Sequence, residues 1–128
     1  MSSCVFCAIV SRQQRAPVLC ESEQFVCFAP LIEEVPGHTI IATKAHYQSM
    51  LDAPASLGSD LFIICKKLAD HFKTASGAQG FNLLNANEAV AQQSVMHLHF
   101  HFLPRHSDDA IDAWPVLPGA NQYVRKSG

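Results

Sequence analysis

The stretch His97-Leu98-His99-Phe100-His101-Phe102-Leu103 decides how this chain is read. On a β-strand, side chains two apart point to the same side, so the three histidines share one face while Leu98, Phe100 and Phe102 share the other. The apolar face seals against a helix, and the opposite face gathers the imidazoles. The chain has 7 histidines in 128 residues, so three at alternate positions with apolar residues between them are no chance grouping. A bland polar face would mix Thr, Lys, Glu and Ser. Two chemistries use clustered imidazoles. One is a metal site, in which neutral rings converge on a cation, up to a metalloenzyme using all three histidines as ligands. The other is phosphoryl or nucleotidyl transfer, in which one neutral ring attacks phosphorus while its neighbours donate hydrogen bonds to the oxygens that gain charge. Glu88 is the only acidic residue shortly before the motif, and nothing marks it as a ligand.

Outward from the histidine strand, the chain predicts an α+β domain. Val95 to Leu103 reads as the fifth strand, with Pro104 ending it. Before it, Phe81 to Leu84 reads as a fourth strand, followed by a polar loop from Asn85 to Gln93. Leu57, Leu61, Ile64, Cys65, Leu68 and Phe72 fall on one face of a long helix. Asp52-Ala53-Pro54 supplies its start, Gly77 its stop, and Lys66, Lys67, Asp70 and Lys73 a solvated face. Val18 to Glu21 and Phe25 to Phe28 form a hairpin stopped by Pro30. The Pro36-Gly37 turn leads into a β-branched strand from Thr39 to Thr43. Val5 to Arg12 carries apolar residues at roughly helical spacing. Strands, one long helix, then strands imply a mainly antiparallel sheet of about five strands rather than parallel crossovers. Residues 1–128 read as one domain, with an N-terminal turn or short helix over 1–12 and an irregular tail over 107–128.

Composition narrows the partners. The net charge is −2 and the cationic residues are scattered rather than striped, which excludes a nucleic-acid surface. No apolar run is long enough to span a bilayer. Five cysteines, of which only Cys4 and Cys7 are closely spaced, read as thiols or metal ligands in a reducing compartment, so a cytoplasmic protein is expected. Cys20, Cys27 and Cys65 sit in apolar settings and read as core residues.

The segment His97-Leu98-His99-Phe100-His101-Phe102-Leu103 resembles, without mismatch, the signature of the histidine triad family: His, apolar, His, apolar, His, apolar, apolar. Cys4-Val5-Phe6-Cys7, Val35-Pro36-Gly37-His38-Thr39, Lys44-Ala45-His46 and Gln93-Ser94 resemble further landmarks in the same order, and coverage runs to Arg105. The resemblance implies an antiparallel sheet with a long helix, commonly joined into a homodimer. It also implies a hydrolase or transferase acting on the α-phosphate of a nucleoside phosphoramidate or dinucleoside polyphosphate. His99, the middle histidine, becomes the nucleophile and transient nucleotidyl carrier. His101 contacts phosphate, and Gln93 and Ser94 are polar groups near the phosphate and leaving group. No metal is required for that chemistry. Cys4, Cys7, His46 and His97 match the ligand positions of metal-binding family members and imply a structural zinc.

Several positions depart from the family pattern. Pro30 stands where an Asp or Asn usually accepts from the ribose hydroxyls, and proline has neither a side-chain acceptor nor an N–H. Ala86 replaces a polar loop residue, so the flanking Asn85 or Asn87 is expected to supply the substrate contact. Gln92 replaces the usual glycine before Gln93. These changes leave open a nucleotide-binding regulatory module with little turnover. His38 is expected to make a structural hydrogen bond, His71 and His106 are assigned no role, and Trp114 either anchors the tail or reaches a partner's site.

Overall fold

The computed structural model describes residues 4–114. Two helices and five strands follow in the order α1 (Val5–Val10), β1 (Val18–Glu21), β2 (Phe25–Phe28), β3 (Thr39–Thr43), α2 (Leu57–Ser76), β4 (Gly80–Leu84) and β5 (His99–Arg105). Every paired neighbour is antiparallel, and the sheet order is β1-β2-β3-β5-β4, so β5 is inserted between β3 and β4. This is the α+β architecture the sequence predicts.

The sheet is covered on both faces. Leu98, Phe100 and Phe102 join Phe25, Cys27 and Ile41 against Leu57, Ile64, Cys65, Leu68 and Phe72 of α2. Burying each large side chain contributes on the order of 1.5–3 kcal/mol. The other face packs Val26, Phe28, Ile40 and Ala42 against Phe6 of α1. Strands β2 and β3 are buried at every position, because they lie between these two layers.

Two boundaries differ from the sequence expectation. β5 begins at His99 rather than Val95, because the preceding residues bond elsewhere: the His97 N–H donates to Val95 O and the Leu98 N–H to Tyr47 O. The strand also runs through Pro104 to Arg105. The β3 ladder stops at Thr39 opposite Phe102, so Pro104 faces β4 alone and its missing N–H interrupts nothing on the β3 side. In the space beyond β3 sits Gly37 (φ +82°), where a Cβ would lie 2.8 Å from Pro104 Cγ and 3.0 Å from Phe72 Cε1. Both its conformation and its closeness therefore call for glycine.

Helix α2 starts at Leu57, not at Pro54. Asp52 instead closes a capping box on the preceding 3-10 turn, Met50–Asp52, accepting from the backbone N–H groups of Ser49 and Gln48. Gly77 ends α2 in the left-handed conformation expected of it (φ 75°). Among the described residues, no helix is long and apolar enough to cross a membrane. Within the tail, residues 107–114 form no helix or strand and Trp114 is exposed. The expected tail beyond Trp114 lies outside the described residues.

Candidate active site and metal cluster

The histidines emerge on the face covered by α1. The ring of Phe6 stands edge-on to His99 at 4.9 Å and to His97 at 5.8 Å, so the N-terminal helix acts as the apolar wall of the site. Each histidine is then oriented by a different partner.

His99 is buried, and its Nδ1 lies 2.7 Å from the carbonyl oxygen of His97. A carbonyl only accepts, so Nδ1 carries the proton and Nε2 keeps its lone pair. Burial pushes the His99 pKa below its ordinary value, more than its bond to the His97 backbone raises it. The ring is therefore neutral near pH 7 with one nitrogen free to attack.

His101 pairs through Nδ1 with His38 Nε2 at 2.8 Å. Burial, with the neighbouring His99 and His38, lowers its pKa to about 4. The His38 bond expected as structural thus reaches the triad itself. Both nitrogens cannot be bare at 2.8 Å, and His38 as donor leaves His101 protonated at Nε2.

His97 is fully buried and turned the other way. Its Nε2–H donates to Thr43 O at 2.7 Å, which leaves Nδ1 as a ligand atom. That Nδ1 lies 3.3 Å from Cys4 Sγ and 3.5 Å from Cys7 Sγ, while His46 Nδ1 is 3.2 Å from Cys7 Sγ. The four ligand atoms lie within 4.8 Å of one another. Tetrahedral zinc with bonds of about 2.3 Å to sulfur and 2.0–2.1 Å to nitrogen has sulfur–nitrogen edges of about 3.5 Å. The donor set and its spacing fit such an ion. The three triad rings do not converge on one point, so the all-histidine ligand set has no geometric basis here. Among the described residues, the metal-competent group contains His97 but neither His99 nor His101.

Beside His99 and His101 lies an apolar slot of about 280 Å³, walled by Phe6, Ile9, Phe28, Pro30 and Leu31 and edged by Ser94. The remaining expected contact residues, Gln93, Asn85 and Asn87, are not among the residues lining this slot. Gln93 is buried with its amide committed: it donates to Gln48 O and Val95 O and accepts from the Glu88 N–H. Asn85 donates to the backbone carbonyl of His99 at 2.8 Å and accepts from Asn87, whose own oxygen takes the Met50 N–H. These hydrogen bonds tie the loop to the backbone of the histidine strand and of residues 48–50. Two residues of the loop hold strained positive φ, Glu88 at φ 78°, ψ 159° and Gln92 at φ 71°, ψ 29°. Gln92 adopts the left-handed conformation that the usual glycine enters freely.

Sequence reading missed Thr43, which fixes the His97 tautomer, and Gln14 and Arg15, the other polar residues at the slot. Thr43 is an ordinary strand residue in sequence, and residues 14 and 15 belong to a loop without periodicity, so no local signal pointed to them.

Residues 11–108 match the model of the HIT domain family. An uncharacterized HIT-like protein of Methanocaldococcus jannaschii is 33% identical over 106 residues, which are 83% of this chain and 81% of that protein. An adenosine 5'-monophosphoramidase of Saccharomyces cerevisiae is 29% identical over 117 residues, 90% of this chain and 72% of that protein. A zinc-bound histidine triad family protein of Mycobacterium smegmatis superposes with a TM-score of 0.81 at 29% identity, covering 87% of this chain and 81% of that one. With the family model matched over residues 11–108 and a HIT-like relative 33% identical over most of both chains, the chain belongs to the HIT family.

Proposed function

We propose that this protein is a nucleotide hydrolase or transferase that cleaves at the α-phosphate of a nucleoside phosphoramidate or dinucleoside polyphosphate through a nucleotidyl-His99 intermediate. The observation that carries this reading is the 2.7 Å bond from His99 Nδ1 to the His97 carbonyl, which leaves Nε2 as a neutral nucleophile. His99 Nε2 forms a bond to phosphorus as the bond to the leaving amine or polyphosphate breaks, and the leaving group takes a proton from water. The ring becomes a cation whose Nδ1–H remains on the His97 carbonyl. Water then attacks phosphorus, the phosphorus–nitrogen bond breaks, and Nε2 recovers its lone pair as the spent water releases a proton. His101, with Nε2–H directed by His38, and the Ser94 hydroxyl donate to the phosphate oxygens; losing one such donor costs about 3 kcal/mol of transition-state stabilisation. The apolar slot receives the nucleoside. Gln14, which lines the slot and whose Nε2 donates to Arg15 O, takes the place of the Asp or Asn ribose partner absent at Pro30. The yeast relative's activity on adenosine 5'-monophosphoramide supports this substrate class.

Cys4, Cys7, His46 and His97 would hold a structural zinc, whose contribution when bound is to clamp α1 to the residues preceding β5. The zinc-bound mycobacterial neighbour supports the assignment. A homodimer in the cytoplasm completes the reading. β4 is an edge strand, and Phe81 and Leu83 on it, with Phe62 and Ile63 on α2, are exposed apolar side chains.

The test is turnover of adenosine phosphoramidate and diadenosine polyphosphates by the wild type and His99→Ala. Mass spectrometry of the quenched reaction should find one nucleotidyl group on His99, and the variant should lose at least about a thousandfold in kcat. Equal activity of the two proteins overturns the nucleophile assignment. Tight nucleotide binding without turnover by the wild type would instead establish the regulatory module.

A further inference from the structure

Away from the triad, β1 and β2 bring two cysteines face to face. Cys20 and Cys27 are direct partners in the antiparallel register, so their side chains leave the sheet on the same side, toward α2. Direct partners in such a pair have Cα atoms about 4.5–5.5 Å apart, inside the window of about 4.4–6.8 Å that a disulfide spans. The two thiols differ in access. Cys27 is fully buried, whereas Cys20 is half-buried and lines a cleft of about 320 Å³ together with Leu19, Lys67, Leu68 and His71.

We propose that Cys20 and Cys27 form a second reactive site, a cross-strand dithiol that accepts low-molecular-weight disulfides through the cleft, with Cys20 attacking and Cys27 resolving. Three features divide the roles. The Cys27 thiol, opposite Cys20 in the register, favours the thiolate form of Cys20. Lys67 adds a positive charge at the cleft wall, and together these outweigh burial and bring the Cys20 pKa down to about 7. The neighbouring Cys20, with burial and the nearby Cys65 and Asp60, raises the Cys27 pKa and keeps its proton in place until Cys20 has reacted.

In the first step the Cys20 thiolate attacks one sulfur of the small disulfide, whose S–S bond breaks and releases one thiolate. That thiolate takes up the proton Cys20 had lost to solvent. In the second step Cys27 gives up its proton and attacks Cys20 Sγ, expelling the second small thiol, which takes that proton. The protein pair is oxidised by two electrons and the small disulfide is reduced to two thiols. Cys65 on α2 touches the same core layer, but its thiol is buried and burial raises its pKa, so it lacks both access and thiolate.

The experiment treats the full-length protein with oxidised glutathione at neutral pH, quenches with an alkylating reagent and maps the peptides by mass. The wild type should yield a peptide cross-linked between Cys20 and Cys27. Cys27→Ser should stop at one glutathionyl group on Cys20, and Cys20→Ser should leave Cys27 reduced. Cys20 should react about threefold faster than a thiol of ordinary pKa, since its larger thiolate fraction is partly offset by lower intrinsic nucleophilicity. First labelling at Cys65, reaction confined to Cys4 and Cys7, or a glutathionylated Cys20 that never bridges to Cys27 in the wild type would each overturn the proposal. If Cys20→Ser does not fold, the wild-type map and the Cys27→Ser trap still decide it.

Discussion

Replacing His38 by Phe tests how the triad is tuned, because it keeps a ring at that position and removes only the partner of His101. With His38 Nε2–H as donor, its 2.8 Å contact with His101 Nδ1 holds the proton of His101, which lines the slot, on Nε2. A partly buried neutral hydrogen bond contributes on the order of 1 kcal/mol, and leaving its partner unsatisfied costs about 1–3 kcal/mol. The variant should therefore unfold with about 1–3 kcal/mol less stability. About 1 kcal/mol of lost tautomer preference corresponds to roughly a fivefold shift in population, so kcat should fall about 2–10-fold with KM little changed. His38→Gln, which can restore an N–H donor, should recover most of both losses. The direct assay is the ¹⁵N spectrum of histidine-labelled protein, in which the protonated nitrogen of a neutral ring is distinguished by chemical shift. Wild-type His101 protonated at Nδ1, or a His38→Phe variant with unchanged kcat, would refute the reasoning.

Three further perturbations follow from the same geometry. The lowered His101 pKa of about 4 means that the unfolded chain, with its ordinary histidine near 6.5, binds the extra proton between these values. Stability should thus fall as pH drops from about 6.5 to about 4, by about 3 kcal/mol from this group, and be level above 6.5; His101→Asn should flatten that part of a Tm-against-pH curve. Gln92→Gly should relieve the left-handed backbone at φ 71° and, after the entropy glycine adds to the unfolded chain, gain about 0.5–1 kcal/mol, seen as a Tm higher by roughly 3 °C. A lower Tm would count against the strain assigned there. Cys7→Ser should reduce bound zinc in the purified protein to a small fraction of one per chain, and chelation should lower the wild-type Tm without altering that of the variant; a variant retaining full zinc would remove Cys7 from the ligand set.

The alternation of histidine with Leu98, Phe100 and Phe102 determined by itself which face of the strand enters the core, because a period of two allows only one burial of the apolar set. Local patterns likewise marked α2 by its apolar stripe, the hairpin by two short strand-forming runs, and Gly37 and Gly77 by turns that require positive φ. The pairing of Cys4 and Cys7 with His46 and His97 came from family resemblance, since residues 39 to 93 positions apart carry no local signal of contact. Family resemblance gave the three imidazoles different roles, and tertiary structure decided which partner orients each ring. His97 is turned toward the cysteines by Thr43 and His101 is held by His38, partners more than fifty residues away that the sheet brings together, while His99 is pinned locally by the His97 carbonyl. Tertiary structure also showed how the amides of Gln93, Asn85 and Asn87 are engaged in and around the loop, Gln93 being buried with its donors and acceptor satisfied. Which residues carry polar chemistry is a property of the chain; which atom of each remains available is settled by the hydrogen bonds that folding closes.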